Sequence, residues 1–140
     1  MADELTRVDQ WIYQTLTADS ALTAIVGTKV FVDNAPQGTA FPFVVFSLEY
    51  ATDVVTHSHT RIMVDSVWRI RVNKASESYD SEMRSAADRI DVLFDRTSGS
   101  AGEAQIFSSV REEPYKRPLI DDGKQYRALG GIYRVLAQIP

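Results

Sequence analysis

Apolar side chains recur at helical spacing near the start of the chain: Leu5, Val8, Ile12 and Leu16, with Trp11 beside them. This stripe predicts a helix with one buried face. Asp3 is expected as its N-cap, because a carboxylate accepts from the orphan amides of a first turn. A shorter helix is predicted next. Asp19 caps it, Leu22, Ile25 and Val26 form its apolar side, and Gly27 takes the left-handed C′ position.

The pattern then turns to β. Lys29 to Val32 reads as a short strand, and Phe43 to Tyr50 as a stronger one, rich in β-branched and aromatic residues. Arg61 to Asn73 alternates. Ile62, Val64, Trp68, Ile70 and Val72 fall on one face with Ser66 between them, and Arg61, Asp65, Arg69 and Arg71 fall mainly on the other. Ala51 to Thr60 is polar and is expected to be a long hairpin connection. A compact insert, Asp33-Asn34-Ala35-Pro36-Gln37-Gly38-Thr39-Ala40-Phe41-Pro42, separates the first two strands. Phe41 precedes a proline and is biased to extended geometry, and Gly38 is free to adopt positive φ. The insert is therefore expected to be an ordered ledge.

Ser76-Glu77-Ser78 is expected to start a long helix, with Tyr79, Met83, Ala86, Ile90, Leu93 and Phe94 along one side. Asp80–Arg84 and Arg84–Asp88 are i,i+4 pairs, each worth about 0.2–0.5 kcal/mol. Thr97-Ser98-Gly99-Ser100-Ala101-Gly102 reads as a flexible loop. Gln105 to Arg111 and Tyr126 to Ile139 are the last predicted strands. The segment between them, Glu112 to Gln125, holds two prolines and the turn-like Asp121-Asp122-Gly123 and is expected to be a loop. Gly130-Gly131 signals a bulge or a close backbone approach. The predicted order is α-α-β-β-β-α-β-β. Without regular βαβ alternation, the fold class is α+β: a largely antiparallel β-sheet with N-terminal helices and one long helix packed on it.

The 140 residues suit a single domain spanning 1–140. A net charge of −4 argues against a dedicated nucleic-acid binder, which needs a basic surplus to neutralise phosphates. It leaves room for a protein that lets DNA pass without gripping it. There is no cysteine, which excludes disulfides, thiolate metal sites and cysteine nucleophiles. The acidic N-terminus lacks the pattern of a signal peptide, and a soluble cytosolic protein is expected.

Candidate chemistry is sparse. His57-Ser58-His59 would need a third ligand for zinc, and none is spaced to suit. No serine sits in a Gly-x-Ser-x-Gly elbow. A Ser-His-Asp site would have to be built in the His57/His59 loop, so a small hydrolase is the different-class alternative. Glu112-Glu113 and Asp121-Asp122 read as solvation charges, and no nucleotide-binding loop is present. Arg61, Arg69 and Arg71 share their row with Asp65, which favours a solvated face or a subunit contact over a phosphate stripe. No metal or cofactor is expected.

Leu16-Thr17-Ala18-Asp19-Ser20-Ala21-Leu22-Thr23-Ala24-Ile25-Val26-Gly27 leads into Lys29-Val30-Phe31. Ala35-Pro36-Gln37-Gly38 and Phe41-Pro42-Phe43-Val44-Val45-Phe46-Ser47 follow. This series resembles the tail-completion, or tail-terminator, family of long-tailed bacteriophages and prophages. That family's pattern runs "Leu-x-x-Leu-Val-Gly", a strand, "Ala-Pro-Gln-Gly", then "Pro-Tyr-Val-Val-Tyr", and phenylalanine here replaces both tyrosines. Ser66 to Val72 and the helix from Tyr79 to Phe94 are also similar, so the resemblance covers about Leu5 to Ile139.

The resemblance implies a non-enzymatic virion protein. It implies a homo-oligomeric ring, commonly a hexamer, that caps the tail tube at the neck, ends tube growth and meets a head-completion protein. DNA would pass through its lumen without specific binding, and assembly would take place in the host cytoplasm. Another neck protein, such as a head-closure or connector component, is the nearest alternative. The expected assembly surfaces are loops carried on the sheet. Their candidate residues are Asp33, Asn34, Pro36, Gln37, Gly38 and Pro42 in the insert, and His57 and His59 in the next connection. Arg69 and Arg71 on the charged strand face, and Tyr115, Lys116, Arg117, Asp121 and Asp122 in the last connection, complete the set.

Overall fold

The computed structural model describes residues 4–58, 60–76, 78–121 and 123–139, apart from the side chains of Arg61 and Asp121. Two helices, α1 (Glu4–Ala18) and α2 (Ser20–Val26), precede three strands, β1 (Val30–Val32), β2 (Phe43–Val55) and β3 (Arg61–Lys74). Helix α3 (Ser81–Phe94) follows, and then β4 (Thr97–Ala101), β5 (Ala104–Asp121) and β6 (Lys124–Gln138). One six-stranded sheet runs β1-β2-β3-β6-β5-β4. Among the described residues, only the three-residue β1 is parallel to its neighbour. The α+β class and the largely antiparallel sheet are as expected; the order differs by one strand.

That strand is β4, where a flexible loop was expected. Its Thr-Ser-Gly-Ser-Ala sequence has little strand propensity. It is held because Thr97 to Ala101 pairs with Ala104 to Ser109 across a tight turn, with Gly102 at φ 58°. Trp11 also packs so closely on Gly99 that an added Cβ would lie 2.5 Å from the indole nitrogen.

Both long connections are shorter than the sequence suggested. Strand β2 continues to Val55, with a bulge between Leu48 and Tyr50, so Thr56 to Thr60 alone links it to β3. Strands β5 and β6 pair from Gln105↔Gln138 to Asp121↔Lys124, so Glu112 to Gln125 is mostly ladder. Pro114 and Pro118 mislead a sequence reading. A proline is tolerated in an edge strand whose N–H position faces away from its partner.

One face of the sheet carries all three helices. Val8, Ile12 and Leu16 of α1, Leu22 and Val26 of α2, and Met83, Ala86, Ile90 and Phe94 of α3 pack on Val44, Phe46, Trp68, Ile70, Val72, Tyr133 and Val135. At 15 and 14 residues, α1 and α3 share this role, so there is no single long helix. Helix α3 begins at Ser81, later than expected. Its cap is Asp80, whose carboxylate accepts from Met83 N at 2.9 Å. Lys74 engages Asp80 at 2.7 Å, where the helical pattern suggested Arg84. The expected cap Asp3 lies outside the described residues.

Gly130 is the close approach that its sequence position signalled. A Cβ there would sit 2.0 Å from the Ile70 carbonyl oxygen. The bulges of the β5–β6 ladder lie on β5, beside Phe107 and Glu112.

Candidate assembly surfaces

The insert is built from its own short bonds. Asp33, at φ 64°, donates its N–H to Phe46 O at 2.9 Å, and Asn34 N donates to Val32 O at 2.7 Å. Thr39 returns both its N–H and its hydroxyl to Pro36 O, closing a turn around Gly38 at φ 84°. Phe41, joined to Pro42 by a cis peptide bond, stacks on Phe43 with centroids 5.1 Å apart and packs against Tyr126 at 5.4 Å. Pro42 itself is buried within the chain.

Tyr126 lies on the β5–β6 hairpin where it overhangs the end of β3. The ledge and this overhang therefore share one open cleft of about 780 Å³. Pro36, Gln37 and Gly38 line one side; Leu119, Ile120, Lys124 and Tyr126 line the other. Ile120 is 77% exposed. Two segments that the sequence offered as separate loops thus form a single surface. Asp121 belongs to this hairpin end, with its side chain undescribed, and Asp122 lies outside the described residues.

His57 is elsewhere. It is exposed in the turn after Val55, at the opposite end of β2, about 40 Å from Phe43 at the usual rise of a strand. Thr56 and Ser58 beside it share a hydroxyl hydrogen bond of 2.9 Å. His59 lies outside the described residues.

The helix-free face of the sheet carries a charged lattice. Arg69 pairs with Glu49 at 2.7 Å and lies over the Tyr115 ring, 4.6 Å from its centroid. Arg71 donates to Ser47 Oγ at 3.3 Å, and burial lowers its pKa. Arg134 bridges Asp65 and Glu112 and reaches the Tyr50 hydroxyl at 3.3 Å. Its hydrogen bonds to those carboxylates raise its own pKa and keep it charged. Among the described side chains of this lattice, three arginines thus face three carboxylates. Sequence reading found Arg69 and Arg71 but missed Arg134, whose position next to buried Tyr133 puts it on the opposite face. Lys116 and Arg127 turn to the helix side, over the Tyr79 ring at 4.4 and 5.0 Å. Arg117 is exposed.

Exposed ledges and tips thus stand at both ends of the sheet, with paired charges on the face between them. The family model described as "Tail completion protein gp17" matches residues 10–97, and the chain belongs to that family of virion tail proteins. Among solved structures, the chain is similar to one described as "Virion of native gene transfer agent (GTA) particle". The match has a TM-score of 0.78 and 19% identity, and it covers 99% of each chain. A second solved structure matches at a TM-score of 0.54 and 13% identity, over 90% of this chain and 94% of that one. No curated protein matches.

Proposed function

We propose that the protein caps the end of a phage tail tube as a closed homo-oligomeric ring. The cap ends tube growth and forms the tail side of the head–tail joint. Family membership over residues 10–97 is the observation that carries this reading. The similar chain of known structure comes from a virion particle, which agrees with it.

The geometry supports a part with two working ends. The cleft of the ledge and the β5–β6 overhang lies at one end of the sheet, and the exposed His57 turn lies at the other. A cap between tube and head needs two such faces. The ring itself, commonly a hexamer, closes through heterologous contacts, in which unlike surfaces of each copy meet. Asp33, Asn34, Pro36, Gln37, Gly38, His57, Lys116 and Arg117 are the proposed contact set, and Arg69, Arg71 and Tyr115 lie on the face proposed next for the lumen.

The helix-free face suits the lumen. Arg69, Arg71 and Arg134 stand beside Glu49, Asp65 and Glu112, so passing phosphates meet little net positive charge. The hydrolase alternative rests on His57, an exposed residue at a hairpin tip with hydroxyl neighbours. Purified protein incubated with isolated tail tubes tests the function. Negative-stain images should show a ring at one tube end, and native mass should report the closed oligomer. Uncapped tubes, or a protein that seats on heads instead, would transfer the reading to a head-closure component.

A further inference from the structure

Strand β4 pairs with β5 only as far as Ser109, so beyond it the sheet is five strands wide and its edges are β1 and β5. One row runs straight across, from Val30 through Val44, Val72 and Leu129 to Lys116. The two edges carry opposite charge.

On the β1 side, helix α1 lies beside the edge. Two adjoining hollows of about 490 and 220 Å³ share Thr6, Asp9 and Val32. Exposed Tyr13, Val32 and Leu48 make them partly apolar. Among the described residues, the charged side chains lining them are Asp9 and Asp33, and neither is in an ion pair. Burial, and then the charge of Asp33, raises the Asp9 pKa. The pair is short of a counter-charge that its own chain does not supply.

On the β5 side, the charged side chains from Pro114 to Ile120 are Lys116 and Arg117. Both are exposed, and neither has a carboxylate partner among the described residues. The Tyr79 ring holds Lys116 beside Arg127. Pro114 and Pro118 lack the N–H that a further strand would need, so this edge meets a neighbour through side chains. Two β1 flanks brought together would oppose carboxylates, and two β5 edges would oppose cations. An acidic flank against a basic edge is a heterologous contact, the kind that closes a ring.

We infer that the Asp9–Asp33 flank of each copy receives Lys116 and Arg117 from β5 of the next copy. That a next copy is present rests on the ring proposed above. Asp33 stands three residues, or about 10 Å, along the strand from the row that joins Val30 to Lys116. Neighbouring sheets therefore meet offset by that distance, with their strands inclined to the ring axis. The same offset carries Glu113 past the end of β1 and sets Lys29 near Ile120.

The test uses the full chain with isolated tail tubes. A flank variant carries Asp9→Lys and Asp33→Asn, the latter suited to the positive φ of that position. An edge variant carries Lys116→Glu and Arg117→Glu. Each alone sets like charges together and should raise the concentration needed for a ring by about tenfold or more. Mixed in equal amounts, the two should restore a ring of alternating copies. Rings from either variant alone at the parent's concentration, or no recovery when folded variants are mixed, overturn the inference. Should a variant fail to fold, introduced thiols decide, because the chain has no cysteine of its own. Val32→Cys and Pro118→Cys on separate copies should be joined by a short bismaleimide when mixed, and neither alone. Copies that are not joined overturn the inference, whether or not the parent forms a ring. Joined copies without a closed ring would sink the ring and leave this contact standing.

Discussion

Arg89 grips the N-cap of the second helix. Its Nη2 and Nε reach the two carboxylate oxygens of Asp19 at 2.6 and 3.0 Å, while Asp19 also accepts from Leu22 N at 3.0 Å. One side chain thus starts α2 and ties it to α3. Planar two-pronged pairing of this kind fixes orientation as well as charge. The hydrogen bond from Arg89 is the main cause of a lowered Asp19 pKa.

Asp19→Ala should therefore destabilise the fold by about 1 kcal/mol from the lost cap alone, seen as a fall in Tm of about 3 °C. The contribution has a pH signature. A carboxyl whose folded pKa is depressed stabilises above its ordinary range and loses that effect as pH falls through the folded value. Thermal melts should show a gap between the variant and the parent at neutral pH that closes on acidification.

Asp9 should behave in the opposite sense. Burial, helped by the nearby charge of Asp33, raises its pKa. Its protonated form is favoured in the fold, so its contribution is lost as pH rises through the folded value. Asp9→Asn should raise Tm at neutral pH, with the advantage vanishing as pH falls into the ordinary carboxylate range.

Ser66 is a polar residue in an apolar row, and its partners explain it. Fully buried, it accepts from Trp68 Nε1 at 2.8 Å and donates to Val135 O at 3.3 Å. Ser66→Ala leaves the indole N–H without a partner and should cost about 1–3 kcal/mol in urea unfolding. Adding Trp68→Phe removes the orphaned donor, so the double variant should lose less than the sum of the two single changes.

Gly130→Ala would push a methyl group into the Ile70 carbonyl. A backbone clash has no flexible end to yield, so a loss of about 3 kcal/mol is expected in the same assay.

Much of this fold was legible because the core is amphipathic in period. Leu5 to Leu16 and Met83 to Phe94 mark the helices, and Val64 to Val72 mark a strand with one buried face. The ends of β2 and β5 and the whole of β4 were not legible. Glu112 to Ile120 is nearly all exposed, so no alternation of burial marks it as strand, and its two prolines suggest a loop. Partnership across the ladder, which one stretch of sequence does not show, makes it a strand. The candidate surfaces were legible one at a time. The pairing of Phe41 with Tyr126 joins two of them, and it depends on an overhang visible only in three dimensions.

The central claim is that the protein ends tail-tube growth. Its most direct test is the distribution of tail lengths in particles assembled without it. The account predicts tubes of uncontrolled length, restored to one length when the protein is supplied. Tails of normal length on heads that leak their DNA would contradict it.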